Sequence, residues 1–110
     1  EASAGQNESG KKSQKEEKRR RAEARNAVSK ERRELEHKIK QCEVAIEKSE
    51  TRLQEIELLL TDPETYGDPQ KAAELNKEYR ATKDNLERLM QTWETEHQTL
   101  DDLLTLLNTS

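Results

Sequence analysis

The sequence predicts an all-α fold, an antiparallel two-helix coiled-coil hairpin with a basic N-terminal extension, on three observations. Leu35, Ile39, Cys42, Ile46, Ser49, Leu53, Ile56 and Leu60 recur at alternating spacings of four and three. Ala72, Leu75, Tyr79, Thr82, Leu86, Leu89, Trp93, Glu96, Leu100, Leu103 and Leu107 do the same further on. A period of 3.5 is that of a coiled-coil seam. Between the stripes stands TDPETYGDPQ (Thr61 to Gln70), whose two prolines and one glycine no continuous helix would tolerate. The two helices must therefore fold back on each other.

The elements follow in chain order. Residues 1–12, beginning EASAGQNESG, are small and polar and read as a flexible linker or tail. Ser13 followed by Glu16 is a capping-box pattern that starts helix 1, expected over about 13–60. The connection spans 61–69. Asp62-Pro63 supplies an N-cap and a first-turn proline for one short helical turn over 63–66. Gly67 is expected to break that turn with a positive φ. Asp68-Pro69 repeats the device and launches helix 2, expected over about 69–107 and roughly 55 Å long.

Pairing seam residues whose numbers sum to 135 gives a register. Leu60 meets Leu75, Ile56 meets Tyr79, Cys42 meets Trp93, Ile39 meets Glu96 and Leu35 meets Leu100. Tyr79 and Trp93 are thus seam residues. Tyr66 is expected to close the hairpin end against Leu60 or Leu75, and Glu50 with Lys83 to form an exposed ion pair. The last possible partner of helix 2 is Arg25, so residues 11–24 are expected to overhang, either as a lone helix or as a disordered arm.

Composition excludes several classes. Of 110 residues 40% are charged and 29% hydrophobic, too few apolar side chains for a broad globular core. Cys42 is the only cysteine, so no internal disulfide forms and a reducing, cytoplasmic setting fits. There is no apolar run long enough for a membrane span and no signal-peptide core. The absence of an initiating Met suggests a piece of a larger protein. Gly5, Gly10 and Gly67 are scattered and make no phosphate-binding loop. Two helices build no concave pocket, so no catalytic residue is expected in this chain. With one Cys and the distant His37 and His97, no metal site is expected either.

Function must come from charge. The formal net charge is −4, but residues 11–33 hold eleven Lys/Arg against four Glu, a balance of +7. The cations are Lys11, Lys12, Lys15, Lys18, Arg19, Arg20, Arg21, Arg25, Lys30, Arg32 and Arg33. Positive charge near a helix N-terminus opposes the macrodipole, so this block is a poor choice for helix stability alone. Nucleic-acid backbone contact with counterion release is the functional reading, and a solvated basic linker is the plain one. Charge alone does not separate DNA from RNA or from an acidic protein. No aromatic residue interrupts the block, and nothing in it makes a base-reading code, so contacts are expected to be sequence-independent.

The stretch from Leu60 to Glu94 resembles the C-terminal domain of ABC-F family ATP-binding proteins, especially the Uup-like members. The resemblance rests on Asp62, Pro63 and Tyr66 in the turn, on Lys71, Ala72, Glu74 and Leu75 opening helix 2, and on Trp93-Glu94. Lys11 to Glu36 looks like the family's basic lead-in. Glu96 on the seam and the threonine-rich end, Thr105 and Thr109, depart from the pattern. The resemblance implies a parent ATPase with two cassettes, which hold ATP and Mg²⁺, outside this chain. It implies no catalytic residue or cofactor here. DNA binding is implied for Uup-like domains and ribosomal RNA contact for other members. The expected partners are therefore nucleic acid, with DNA favoured, and the parent cassettes; a monomer with no membrane association is expected.

Overall fold

In the computed structural model the backbone is described for residues 2–109 and the side chains for residues 10–108. Three helices follow in order, α1 (Ala2–Leu60), α2 (Pro63–Tyr66) and α3 (Pro69–Thr109). The chain divides into two compact units, residues 1–34 and residues 35–110. No helix among the described residues is long and apolar enough to cross a membrane.

The second unit is the hairpin. Every seam position from Leu35 to Leu107 is buried or half-buried. Ile56 is fully covered, and Ile39, Cys42, Leu75, Leu100 and Leu103 are buried. Outside the seam, only Ala45, Arg52, Thr65, Glu78, His97 and Leu104 escape full exposure among the described residues of this unit. So narrow a buried stripe, in so polar a chain, is the signature of knobs-into-holes packing along a 3.5-residue repeat.

Cross-helix hydrogen bonds fix the register. The Tyr79 hydroxyl donates to Glu57 Oε1 at 2.9 Å, beside Ile56. Trp93 Nε1 donates to Glu43 Oε1 at 3.1 Å, beside Cys42. The Cys42 thiol donates to the Leu89 carbonyl at 3.0 Å, one turn before Trp93. These contacts agree with the pairing of Ile56 with Tyr79 and of Cys42 with Trp93. Trp93 also packs on His97, ring centroids 4.2 Å apart and tilted by 55°. His37 is exposed and His97 half-buried.

The turn is built by its two Asp-Pro pairs. Asp62 is extended (φ −78°, ψ 126°), and its side chain accepts from the Glu64 N–H. Pro63 follows at the first helical position, where its missing N–H costs nothing. The Thr61 and Asp62 N–H groups donate to the Leu58 and Leu59 carbonyls, closing the end of α1. Asp68 Oδ1 accepts from the Lys71 N–H at 3.3 Å and opens α3.

Four sequence expectations are corrected. Gly67 is right-handed, with φ −74° and ψ −13°, not positive. Its need for glycine is space: a Cβ there would stand 2.8 Å from the Pro63 carbonyl oxygen, which accepts the Gly67 N–H. Tyr66 does not close the hairpin end, being 61% exposed. Successive residues of a helical turn point about 100° apart, and it is Thr65, 1% exposed, that faces inward. The cross-helix ion pair among the described residues is Arg52–Glu78, not Glu50–Lys83. Helix α1 begins at Ala2, so Ser13 lies inside it rather than capping it. Gly10, also helical, weakens the helix by only about 1 kcal/mol, and no proline stands nearby to break it. Most of the flexible segment expected over 1–12 falls on residues 1–9, whose side chains lie outside the described residues.

Candidate nucleic-acid interface

All eleven candidate cations lie on α1 within the first unit. Ten are exposed, and Arg32 is half-buried, next in line to half-buried Val28 and Ser29. Exposure follows from composition. Between Gly10 and Glu34 the helix carries one Val, a few Ala and otherwise polar side chains, which gives it no apolar face to bury.

The helix sorts these charges. Projected at about 100° per residue, Lys11, Lys15, Lys18 and Arg33 mark the middle of one face. Arg21, Arg25 and Arg32 flank it on one side, and Lys12, Arg19 and Lys30 on the other. Ten of the eleven cations thus occupy about half the circumference. Arg20 does not join them and points to the opposite side. That side carries Glu16, Glu17, Glu23, Glu31 and Glu34, all within about a third of the circumference.

Two ion pairs stitch the border. Arg21 reaches Glu17 at 2.8 Å and Arg19 reaches Glu23 at 3.8 Å, both one turn apart along the helix and well exposed. Exposed pairs of this kind contribute a few tenths of a kcal/mol to helix stability. They also hold the two arginines at the edges of the basic face. Among the described residues no carboxylate lies within ion-pair distance of Lys15, Lys18 or Arg25, and all three are exposed.

The acidic face is what reading the block by charge count missed. The signal lay in the same residues but at a period of 3.6, whereas the hairpin register follows 3.5. A +7 block reads as uniformly basic until it is wound into a helix. Tyr66 is exposed in the turn, while Trp93 and Tyr79 are tied into the seam by their hydrogen bonds to Glu43 and Glu57. Among the described residues no group of three or more His, Cys, Asp and Glu side chains is arranged to hold a metal ion.

Residues 27–96 match the family described as the ABC transporter C-terminal domain. No curated protein and no solved structure matches the chain. The matched stretch carries the turn, both Asp-Pro pairs and most of the seam, and of the candidate cations it takes in Lys30, Arg32 and Arg33. Lys11 to Arg25 precede it. With well over half of its length matched, the chain belongs to the ABC transporter C-terminal domain family.

Proposed function

We propose that this chain is a non-catalytic nucleic-acid-binding domain of an ABC-F type ATP-binding protein, acting in the cytoplasm. DNA is the favoured ligand, on the likeness to Uup-like domains, and is gripped through its phosphates without reading sequence. The observation that carries this reading is the segregation of charge on residues 11–33. A solvated linker gains nothing from sorting ten cations onto one side. A polyanion-binding helix does, because each phosphate neutralised releases condensed counterions. The domain holds no cofactor of its own in this reading, and ATP and Mg²⁺ belong to the parent cassettes.

Fluorescence anisotropy with labelled DNA at two salt concentrations tests it. Replacing Lys15, Lys18, Arg21 and Arg25 with Ala is expected to weaken binding at low salt by at least about tenfold. The log–log salt slope should also flatten by about three to four, at roughly 0.9 per lost contact. Unchanged affinity at low salt sinks the assignment.

A second reading, docking on the parent cassettes or on a ribosomal surface, draws support from the turn. Leu58 and Leu59 at the end of α1 and Tyr66 in α2 are all exposed, Leu58 at 71%, and exposed apolar surface is where protein partners dock. In that reading, Leu58→Glu abolishes association with the parent cassettes and leaves nucleic-acid affinity unchanged.

A further inference from the structure

The width of the basic face carries information beyond its sign. A helix lying on a flat or convex polyanion touches it along a narrow stripe. A helix seated in a groove meets phosphates on both flanks, so it needs cations around half of its circumference. Residues 11–25 have that breadth. Arg21 and Arg25 stand on one flank, Lys12 and Arg19 on the other, and Lys11, Lys15 and Lys18 lie between. All seven are exposed. The ion pairs Arg21–Glu17 and Arg19–Glu23 hold one arginine at each lip. Arg20 and the carboxylates Glu16, Glu17 and Glu23 face away.

We propose that residues 11–25 lie lengthwise in the major groove of B-form duplex DNA, the two flanks reaching phosphates of opposite strands. This rests on the nucleic-acid reading given above and adds the form of the ligand. A helix with its side chains is about 10–12 Å across, and the B-DNA major groove is about 12 Å wide and admits it. The A-form RNA groove is deep, narrow and closed to it. From Lys11 to Arg25 the helix rises about 21 Å, short enough for a nearly straight rod to remain inside a curving groove. The residues facing the groove floor are three lysines, flexible point charges that lack arginine's rigid fork and can settle on phosphates or on base edges of several sequences. The mode is therefore groove-specific without being sequence-specific. Single strands offer no second flank, so they engage one side of the face only.

The test uses the full 110-residue chain. Its probes are a 20-base-pair DNA duplex, the RNA duplex of the same sequence and the single DNA strand. The DNA duplex is expected to bind at least about tenfold more tightly than the RNA duplex. Methyl green, which occupies the major groove, should displace the protein, and netropsin, which occupies the minor groove, should not. Arg20→Glu and Arg21→Glu make the same change in net charge one residue apart. Arg21→Glu is expected to lower affinity for the DNA duplex about tenfold, and Arg20→Glu less than about threefold. Circular dichroism checks that both variants keep their helix. Equal affinity for the two duplexes, displacement by netropsin, or equal losses in the two variants overturns the groove and leaves general phosphate binding standing. Failure to bind any of the three probes at low salt overturns the nucleic-acid reading itself.

Discussion

Arg52 grips Glu78 with both arms of its guanidinium, Nε donating to Oε1 at 3.0 Å and one terminal nitrogen to Oε2 at 2.8 Å. The other terminal nitrogen donates to Glu55 at 3.0 Å. This forked pair ties α1 to α3 beside the seam, in the geometry that favours arginine over lysine.

The pair gives hairpin stability an acid dependence. The Arg52 hydrogen bonds hold the Glu78 carboxyl below its ordinary range, and Glu78 and Glu55 push the Arg52 guanidinium further up. A carboxylate whose folded pKa lies below its unfolded value of about 4.3 contributes fully above that value. The contribution is lost as pH falls through the folded pKa. Glu78→Gln is therefore expected to melt earlier than the parent at pH 7, with the gap shrinking toward pH 3. Thermal melts followed at 222 nm check this, and a gap that widens on acidification counts against it.

Tyr79 gives the opposite dependence. Its hydroxyl donates to Glu57, and that bond and the carboxylate charge raise its pKa above the ordinary phenol value. A raised folded pKa means stability that is complete below the unfolded value of about 10 and lost as pH rises through the folded one. Tyr79 is expected to ionise at higher pH in the parent than in Glu57→Gln, as read by absorbance at 295 nm. Identical titration curves would remove the bond from the account.

At the turn, Gly67→Ala is expected to destabilise the hairpin by about 1–3 kcal/mol, the cost of forcing a methyl against a backbone carbonyl that is held in place. The added Cβ meets the Pro63 carbonyl oxygen at 2.8 Å, and that oxygen cannot retreat without losing the Gly67 N–H it accepts. Urea denaturation measures the change. A neutral or stabilising result would mean that α2 shifts without penalty.

The hairpin was legible because its signal is one of period. A 3.5-residue stripe survives any single weak position, so Ser49, Thr82 and Glu96 sit in the seam without hiding it. The Asp-Pro pairs were legible because a cap and a first-turn proline act through local chemistry. What was not legible depends on three-dimensional detail. Gly67 suits a left-handed turn equally well, yet its φ is −74°, and what its site demands is the missing Cβ beside the Pro63 carbonyl. Thr65 and Tyr66 are neighbours, and burial of one or the other is settled by the entry angle of α2. Arg52 and Glu78 find each other through side-chain reach, which residue numbering does not encode. The basic face was half legible: its charge could be counted, but its separation from Glu16, Glu17 and Glu23 needs the helix.

Glu96 is a seam residue whose Oε2 is buried without a hydrogen-bond partner among the described residues. A buried acceptor left without a partner costs about 1–3 kcal/mol. Glu96→Leu continues the aliphatic seam toward Leu100 and is expected to stabilise the hairpin by about 1–2 kcal/mol. Thermal denaturation at pH 7 decides it, and a lower melting temperature would mean that the carboxylate is satisfied by water.

The same substitution reaches Cys42. Its thiol is 6% exposed and donates to the Leu89 carbonyl. Burial first, then the Glu96 and Glu43 carboxylates push its pKa up, against a smaller pull down from a Trp93 backbone hydrogen bond. Since the thiolate is the reactive form, Cys42 is expected to react with Ellman's reagent at pH 8 at least about tenfold more slowly in the folded chain than in denaturant. Glu96→Leu removes one carboxylate that opposes ionisation, but it also tightens the seam. Because access through an opening of the hairpin governs a buried thiol, the tighter seam dominates. The variant should therefore react more slowly still, despite a lower thiol pKa. Faster reaction in Glu96→Leu, with its melting temperature unchanged or higher, would make charge rather than burial the protection of Cys42.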